Sequence, residues 1–412
     1  MSGARASAAL GVAVAALAAV HTLRRKDLRE RPAIVAVSLT AVSLPALIRE
    51  ARRQRDPELF WILFAAHQLR LVSGVANHSI GYRIYSGKSD AENYHRAGLE
   101  LARRIRSGNF DLRLGSKPGE GAMRVQAGIV QLLIGPSRLA AFLVYSSLGF
   151  WGLFFFYRAF LIGVPDGDAR LYLLLLCFLP TLVLLPSLIS KQAWMLFTLG
   201  LASLGAAHLV TGEERRGLAL AGAGIALAAI VRPHIAAMFA VSLAVGSARL
   251  LQGRPALRNA ALSSTAALVA LAAKYVHRWG VEPRGGLASL LRQAGAKSNY
   301  GGSAFTPATP ARLRDVPLAV ATVLFRPHPL EAQSAGVRVA SLESMFLLAL
   351  TVARLRSFAG APASPYARVA LTFSGLFTLA YSGVGNFGLL VLHRTQLLPF
   401  YFVPIALRRR PT

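Results

Sequence analysis

The chain is predicted to be an all-α, polytopic integral membrane protein, and three observations carry that prediction. Apolar residues make up 54% of its 412 positions, with a mean hydropathy of +0.47. The apolar residues come in successive runs, many near the roughly 20 residues that cross a bilayer as a helix. The runs do not alternate apolar and polar positions, which excludes an outer-membrane barrel.

Charge and cysteine content narrow the class. Lys and Arg number 46 against 18 Asp and Glu, a net charge of +28. In a soluble protein that excess would point to nucleic acid. Here much of it sits in short loops beside apolar runs, so anionic membrane lipids are the expected partners and nucleic acid is not. The single cysteine, Cys177, lies inside an apolar run, so neither disulfides nor a thiolate metal site organise the fold. No cleavable signal peptide is expected, because only Arg5 precedes the first apolar run and further spans follow.

Taken in order, the expected spans are 7–23, 33–48, 58–76, 137–162, 169–189, 192–210, 217–232, 234–251, 260–277, 341–354, 367–385 and 395–407. That is about twelve transmembrane helices. Gly- and Ala-rich stretches such as 217–230 suit close helix packing. No linker and no internal repeat divides the chain, so residues 1–412 are expected to form one transmembrane domain.

Basic loops orient the spans. Arg215 and Arg216, Arg254 and Arg258, Arg354 and Arg356, and Arg408, Arg409 and Arg410 fall on one side when the later spans are counted in order. That side is read as cytoplasmic, and Arg49, Arg52, Arg53 and Arg55 agree with it. Arg24, Arg25, Lys26, Arg29 and Arg31 then fall outside, an exception to the rule. The two long polar segments, 77–136 and 278–340, are expected to be extracytoplasmic.

The first of these segments carries Ser89-Asp90-Ala91-Glu92-Asn93-Tyr94-His95-Arg96. Ser89 is a good N-cap, and Glu92 three residues on completes a capping box. Asp90 falls in the first turn, where the helix dipole favours a negative charge. Tyr94, Ala97, Leu101 and Ile105 recur at helical spacing as an apolar stripe, and Glu92–Arg96 and Glu100–Arg104 are i,i+4 pairs. An amphipathic helix along the membrane surface is expected, holding Asp90 near the bilayer. The plain alternative is that Asp90 only starts a helix.

The remaining unusual residues collect on the outer side in this topology. Lys191 follows Pro186-Ser187, Arg232-Pro233-His234 makes a hairpin, Arg326-Pro327-His328 lies in the second long segment, and Asn386 precedes His393-Arg394. Several cationic clusters with few acids nearby point to an anion site, and arginine forks match phosphate oxygens. Lys191 has the bland alternative of snorkelling to the interface. Arg232-Pro233-His234 can be a simple turn, and His393-Arg394 ordinary interface residues. Cys/His metal spacing, a Gly-rich phosphate loop and a GxSxG elbow are absent. Ion-coupled transport is disfavoured because Asp90, Glu92, Glu331 and Glu343 are placed in or beside outer segments rather than at mid-span.

On these residues the chain resembles the GT-C fold membrane glycosyltransferases of the protein-mannosyltransferase-like superfamily. The span 58–76 leading into Asp90-Ala91-Glu92-Asn93-Tyr94-His95 is similar to the first extracytoplasmic loop of that class. Pro186-Ser187 to Lys191, Arg232-Pro233-His234, Phe325-Arg326-Pro327 and Asn386-Phe387 with His393-Arg394-Thr395-Gln396 resemble exopolysaccharide-cluster glycosyltransferase or polymerase membrane proteins. The resemblance covers roughly 58–407. It departs from the commonest pattern in Ala91, where an acid would follow Asp90, and in lacking a soluble C-terminal domain.

The resemblance implies Asp90 as catalytic base and a polyprenyl-phosphate-linked sugar as donor, with a glycan or lipid-linked acceptor. It places the chemistry at the outer face of the inner (plasma) membrane, with a divalent cation as an open possibility and no other cofactor. Arg232, His234, Arg326 and His328 are expected to hold the lipid phosphate, with Lys191 and Arg394 behind them, and Glu92, His95 and His393 are further candidates. The alternatives are an O-antigen-type polymerase or ligase acting on lipid-diphosphate oligosaccharides, and a flippase of lipid-linked saccharides without catalysis.

Overall fold

The computed structural model describes residues 30–83, 86, 89–112, 119–248, 252, 255–278, 280–282, 286–299, 303–310, 312–332 and 334–408. The expected first span, 7–23, lies outside the described residues, as do Arg24, Arg25, Lys26, Arg29, Arg254, Arg409 and Arg410. The described chain is helical: α1 (Arg31–Gln54), α2 (Pro57–Arg83), α3 (Asp90–Arg106), α4 (Glu120–Ile134), α5 (Arg138–Gly163), α6 (Ala169–Phe178), α7 (Pro180–Leu184), α8 (Lys191–Val210), α9 (Glu214–Val231), α10 (Pro233–Gly246), α11 (Pro255–Arg278), α12 (Gly286–Ser298), α13 (Val316–Phe325), α14 (Ala335–Ala353), α15 (Pro365–Tyr381), α16 (Phe387–Arg394) and α17 (Leu398–Ile405).

Among the described residues six helices are long and apolar enough to cross a membrane: α1, α2, α5, α8, α11 over Arg258–Arg278, and α14. Shorter apolar helices, α6, α10 and α13, accompany them. The chain is therefore a multi-pass helical membrane protein. One expected span is broken by proline: the run 169–189 stops at Leu179 and restarts at Pro180. The run 395–407 forms only the eight-residue α17, which Pro399 starts in its first turn. The segment 278–340, expected to be polar, contains the apolar helix α13.

Helix starts follow local side-chain chemistry. Asp56 Oδ1 accepts the N–H groups of Glu58 and Leu59 at the head of α2. Ser89, Ser137, Asp168, Ser190, Ser334, Ser364 and Asn386 cap α3, α5, α6, α8, α14, α15 and α16 in the same way.

The chain forms two compact units: 1–150 with 183–194, and 151–182 with 195–412. In the first, α1 pairs with α2 and α3 with α4. The α3–α4 contact is close because Gly98 has no side chain. A Cβ there would sit 2.7 Å from the Ala127 carbonyl carbon and 2.9 Å from the Gly128 nitrogen. In the second unit, α8 and α9 meet through Gly205, Gly217 and Gly224, as the small residues of 217–230 lead one to expect. Its core is aromatic. Phe400 lies edge-on to Phe156 at 5.0 Å, with Phe373 at 4.1 Å and Phe239 at 5.8 Å.

Candidate functional site

In the first unit the structure separates the two carboxylates that the sequence places side by side. Asp90 is exposed, and its side chain makes no hydrogen bond or ion pair among the described residues. Glu92 is only 4% exposed. Its carboxylate accepts from the Tyr82 hydroxyl, from Arg96 Nε at 2.5 Å, and lies 3.4 Å from Arg138 Nε. Arg138 also stands 4.1 Å over the Tyr82 ring. Burial alone would raise the Glu92 carboxyl. The hydrogen bonds from Tyr82 and Arg96, with the charges of Arg138 and Arg96, outweigh that and hold it below its ordinary value.

Glu92 therefore ties the start of α3 to the end of α2 and the start of α5. The expected Ser89 cap forms, at 3.4 Å to the Glu92 N–H, but the Glu92 side chain is engaged by these partners.

The buried face of α3 is also shifted from the expected stripe. Tyr94 and Leu101 are buried, but Gly98 and Ala102 replace Ala97 and Ile105. The reason is the docking of Gly98 on α4, which turns Glu92 and His95 inward. His95 meets Gln131 at 2.8 Å. Burial first, and then the charge of Arg138, lowers the His95 imidazole to about 4. Lys191 is the first residue of α8, half-buried behind the Ser190 cap.

The second unit brings the other candidates into one neighbourhood. Arg232 links α9 to α10 in a non-helical conformation, at φ −139° and ψ 77°, with Pro233 starting the next helix. Its Nη1 donates to His393 Nδ1 at 2.9 Å. Arginine can only donate, so His393 accepts at Nδ1 and carries its proton on Nε2. His234 Nε2 is 3.0 Å from the Tyr381 hydroxyl, and the Tyr381 ring is 4.7 Å from that of His393. Tyr275 lies beside His234 at 5.2 Å.

Next to His393, Arg394 is fully buried. It donates to the carbonyls of Leu324 and Arg326 and to Ser344, and stands 3.8 Å from Glu343. Glu343 also accepts the N–H and hydroxyl of Thr181. It lies in the middle of α14, so the expectation of a carboxylate beside an outer segment is corrected. The helix begins at Ala335, and its register carries Glu343 inward, where Thr181 and Arg394 compensate it.

Arg326 is held as tightly. Its guanidinium is paired with Glu331 through Nε and Nη2, and it stacks 4.3 Å over Phe305 and 5.2 Å over Phe387. Those two rings are parallel at 4.2 Å, brought together where residues 303–305 pair with 385–387. The Glu331 carboxyl, which burial would raise, is lowered by Arg326 and by the His328 N–H. His328 itself is exposed.

The three arginines thus differ in compensation. Arg326 and Arg394 each face a carboxylate. Arg232, 6% exposed, has no ion-pair partner among the described residues. A buried cation without a counter-charge is costly, and an anionic ligand removes that cost.

Sequence reasoning passed over His67, Arg70, Tyr82, Arg138 and Tyr381. His67 and Arg70 are both buried in α2. His67 lies 3.4 Å from Ser43 and 3.3 Å from Ser147, and Gly149 leaves room for the Arg70 guanidinium. Their signal was two ionisable residues three apart inside an apolar run. Among the described residues no group of three or more His, Cys, Asp and Glu side chains is arranged to hold a metal ion. Comparison with family models, curated proteins and solved structures finds no match, so the likeness to GT-C transferases rests on the short motifs alone.

Proposed function

We propose that this protein is a membrane glycosyltransferase that binds the phosphate of a polyprenyl-phosphate-linked sugar at Arg232 and passes the sugar to a glycan or lipid-linked acceptor. The observation that carries the proposal is the buried, carboxylate-free guanidinium of Arg232 with His393, His234 and Tyr381 around it. In sugar transfer the lipid phosphate leaves with developing negative charge. A preorganised guanidinium stabilises that charge where it forms. His393, with its proton on Nε2, adds a neutral donor, and the Tyr381 and His234 pair adds others.

Arg326 and Arg394 support this site from behind. Arg326 clamps the Phe305–Phe387 stack, and Arg394 fixes the carbonyls at the end of α13 and the segment after it. Asp90 is the general base on the transferase reading, taking the proton of the acceptor hydroxyl. Its exposure leaves its oxygens free for an acceptor.

A second reading, a polymerase or ligase acting on lipid-diphosphate oligosaccharides, is favoured by one observation. Asp90 has no partner among the described residues to orient it, and that reading depends on the cations alone. The test is transfer of label from a polyprenyl-phosphate sugar in reconstituted liposomes, with donor binding measured in parallel. Asp90→Asn lowers transfer by roughly 10²–10⁴-fold on the transferase reading and leaves binding unchanged. Full transfer by Asp90→Asn removes the base. Unaltered donor binding by Arg232→Ala removes the phosphate site.

A further inference from the structure

At the opposite end of α2 from Arg83, the hairpin between α1 and α2 holds a cleft of about 490 Å³. Ile48, Ala51, Pro57, Phe60 and Trp61 wall it, and Arg52 and Arg55 stand at its edge. We propose that this cleft binds an anionic phospholipid, its phosphate between Arg52 and Arg55 and its glycerol and acyl roots against Phe60 and Trp61.

Four observations converge on that occupant. Arg52, Arg53 and Arg55 are all exposed and none has an ion-pair partner among the described residues. Asp56 also lines the cleft, but its Oδ1 already accepts from the N–H groups of Glu58, at 2.9 Å, and Leu59, at 3.3 Å. Arg55 closes α1 in the left-handed region, at φ 55°, a cap that glycine adopts at less cost. Arginine there brings a charge to the cleft mouth that glycine would not.

The fourth observation is the aromatic cluster beside the arginines. Phe60 and Trp61 are edge-to-face at 5.0 Å, and Phe64 lies 5.8 Å from Phe60 and 6.2 Å from Trp61. Trp61 is 66% exposed at the end of a membrane-length helix. Exposed tryptophan at a span end marks the headgroup level of the bilayer, where an apolar wall meets charge. A soluble anion would use the arginines but not the aromatic wall. A phospholipid uses both.

The site is independent of the sugar-transfer reading, so its test needs no activity. Full-length protein in detergent is titrated with phosphatidylglycerol or with phosphatidylcholine of matched chains, and bound lipid is counted by native mass spectrometry. The wild type is expected to retain phosphatidylglycerol roughly 30-fold better, as two nearby cations would give. Arg52→Gln with Arg55→Gln brings retention to the phosphatidylcholine level, and Arg53→Gln, outside the cleft, leaves the preference intact.

Arg55→Gly removes one charge and relaxes the left-handed cap. It is expected to weaken the preference in a protein at least as stable as the wild type, which separates lipid loss from misfolding. Equal retention of the two lipids by the wild type overturns the proposal. So does an equal loss in Arg53→Gln, which would reduce the effect to surface charge. Displacement of phosphatidylglycerol by millimolar inorganic phosphate would show a site for free anions and overturn the lipid assignment.

Discussion

Arg232 and Arg394 are both buried arginines in the second unit, and replacing each by methionine should give opposite outcomes. Methionine is chosen because its flexible apolar chain fills much of the vacated space. Arg394 faces Glu343 and holds the carbonyls of Leu324 and Arg326. Its loss strands a buried carboxylate, a defect that costs about 3–5 kcal/mol. Arg232 faces no carboxylate among the described residues, and it donates to His393. Its loss deprives one half-buried nitrogen of a donor, about 1 kcal/mol, and removes an uncompensated cation from the interior.

Arg232→Met is therefore expected to unfold within about 1 kcal/mol of the wild type, at equal or higher temperature. Its affinity for polyprenyl phosphate should fall by roughly 2–5 kcal/mol, the cost of truncating one side of a buried charge pair. That is about 30- to 4,000-fold in Kd. The assay is thermal unfolding of both variants in one detergent, with lipid-phosphate binding by thermophoresis. If Arg232→Met unfolds as early as Arg394→Met and binds the lipid phosphate normally, Arg232 is a structural residue and the anion site is gone.

Three further outcomes follow from particular contacts. His95 is buried with its imidazole lowered to about 4, against an ordinary 6.5, so the unfolded chain binds more protons between those values. Its contribution is complete above pH 6.5 and is lost as pH falls towards 4, about 3 kcal/mol in all, and His95→Gln should make the denaturation midpoint fall less steeply over that window. Glu92, with its carboxyl lowered, acts in the same direction below pH 4.5 and should remain in that variant. Gly98→Ala drives a methyl group into the Ala127 and Gly128 backbone and should cost roughly 1–3 kcal/mol in thermal unfolding, whereas Gly81→Ala, with open space around it, should not. Single-cysteine labelling in intact cells should find positions 234 and 328 on the extracytoplasmic side and 215 and 356 inside; labelling of 234 from the cytoplasm would defeat the outer-face chemistry.

The sequence by itself determined the class and most of the helices, because both depend on short-range properties. Long apolar runs read as membrane helices, and Ser89 marks a helix start through a bond that spans three residues. Proline placed the turn at Arg232 but also broke the run 169–189, where hydropathy alone predicted a continuous span.

The charge pairing is a different matter. Arg326 and Glu331 are five residues apart and could be paired on the page, but Arg394 meets Glu343 from 51 residues away, and Thr181 reaches the same carboxylate from 162 away. Only tertiary packing decides which cations are neutralised within the protein and which are left without a carboxylate. The same holds in the segment 89–96. Asp90 and Glu92 differ little as letters, but the docking of Gly98 on α4 turns Glu92 towards Tyr82 and Arg138 and leaves Asp90 in the open. A helix rotates its residues by a fixed angle, so local sequence sets their relative directions. The neighbour against which the helix packs sets which direction is inward.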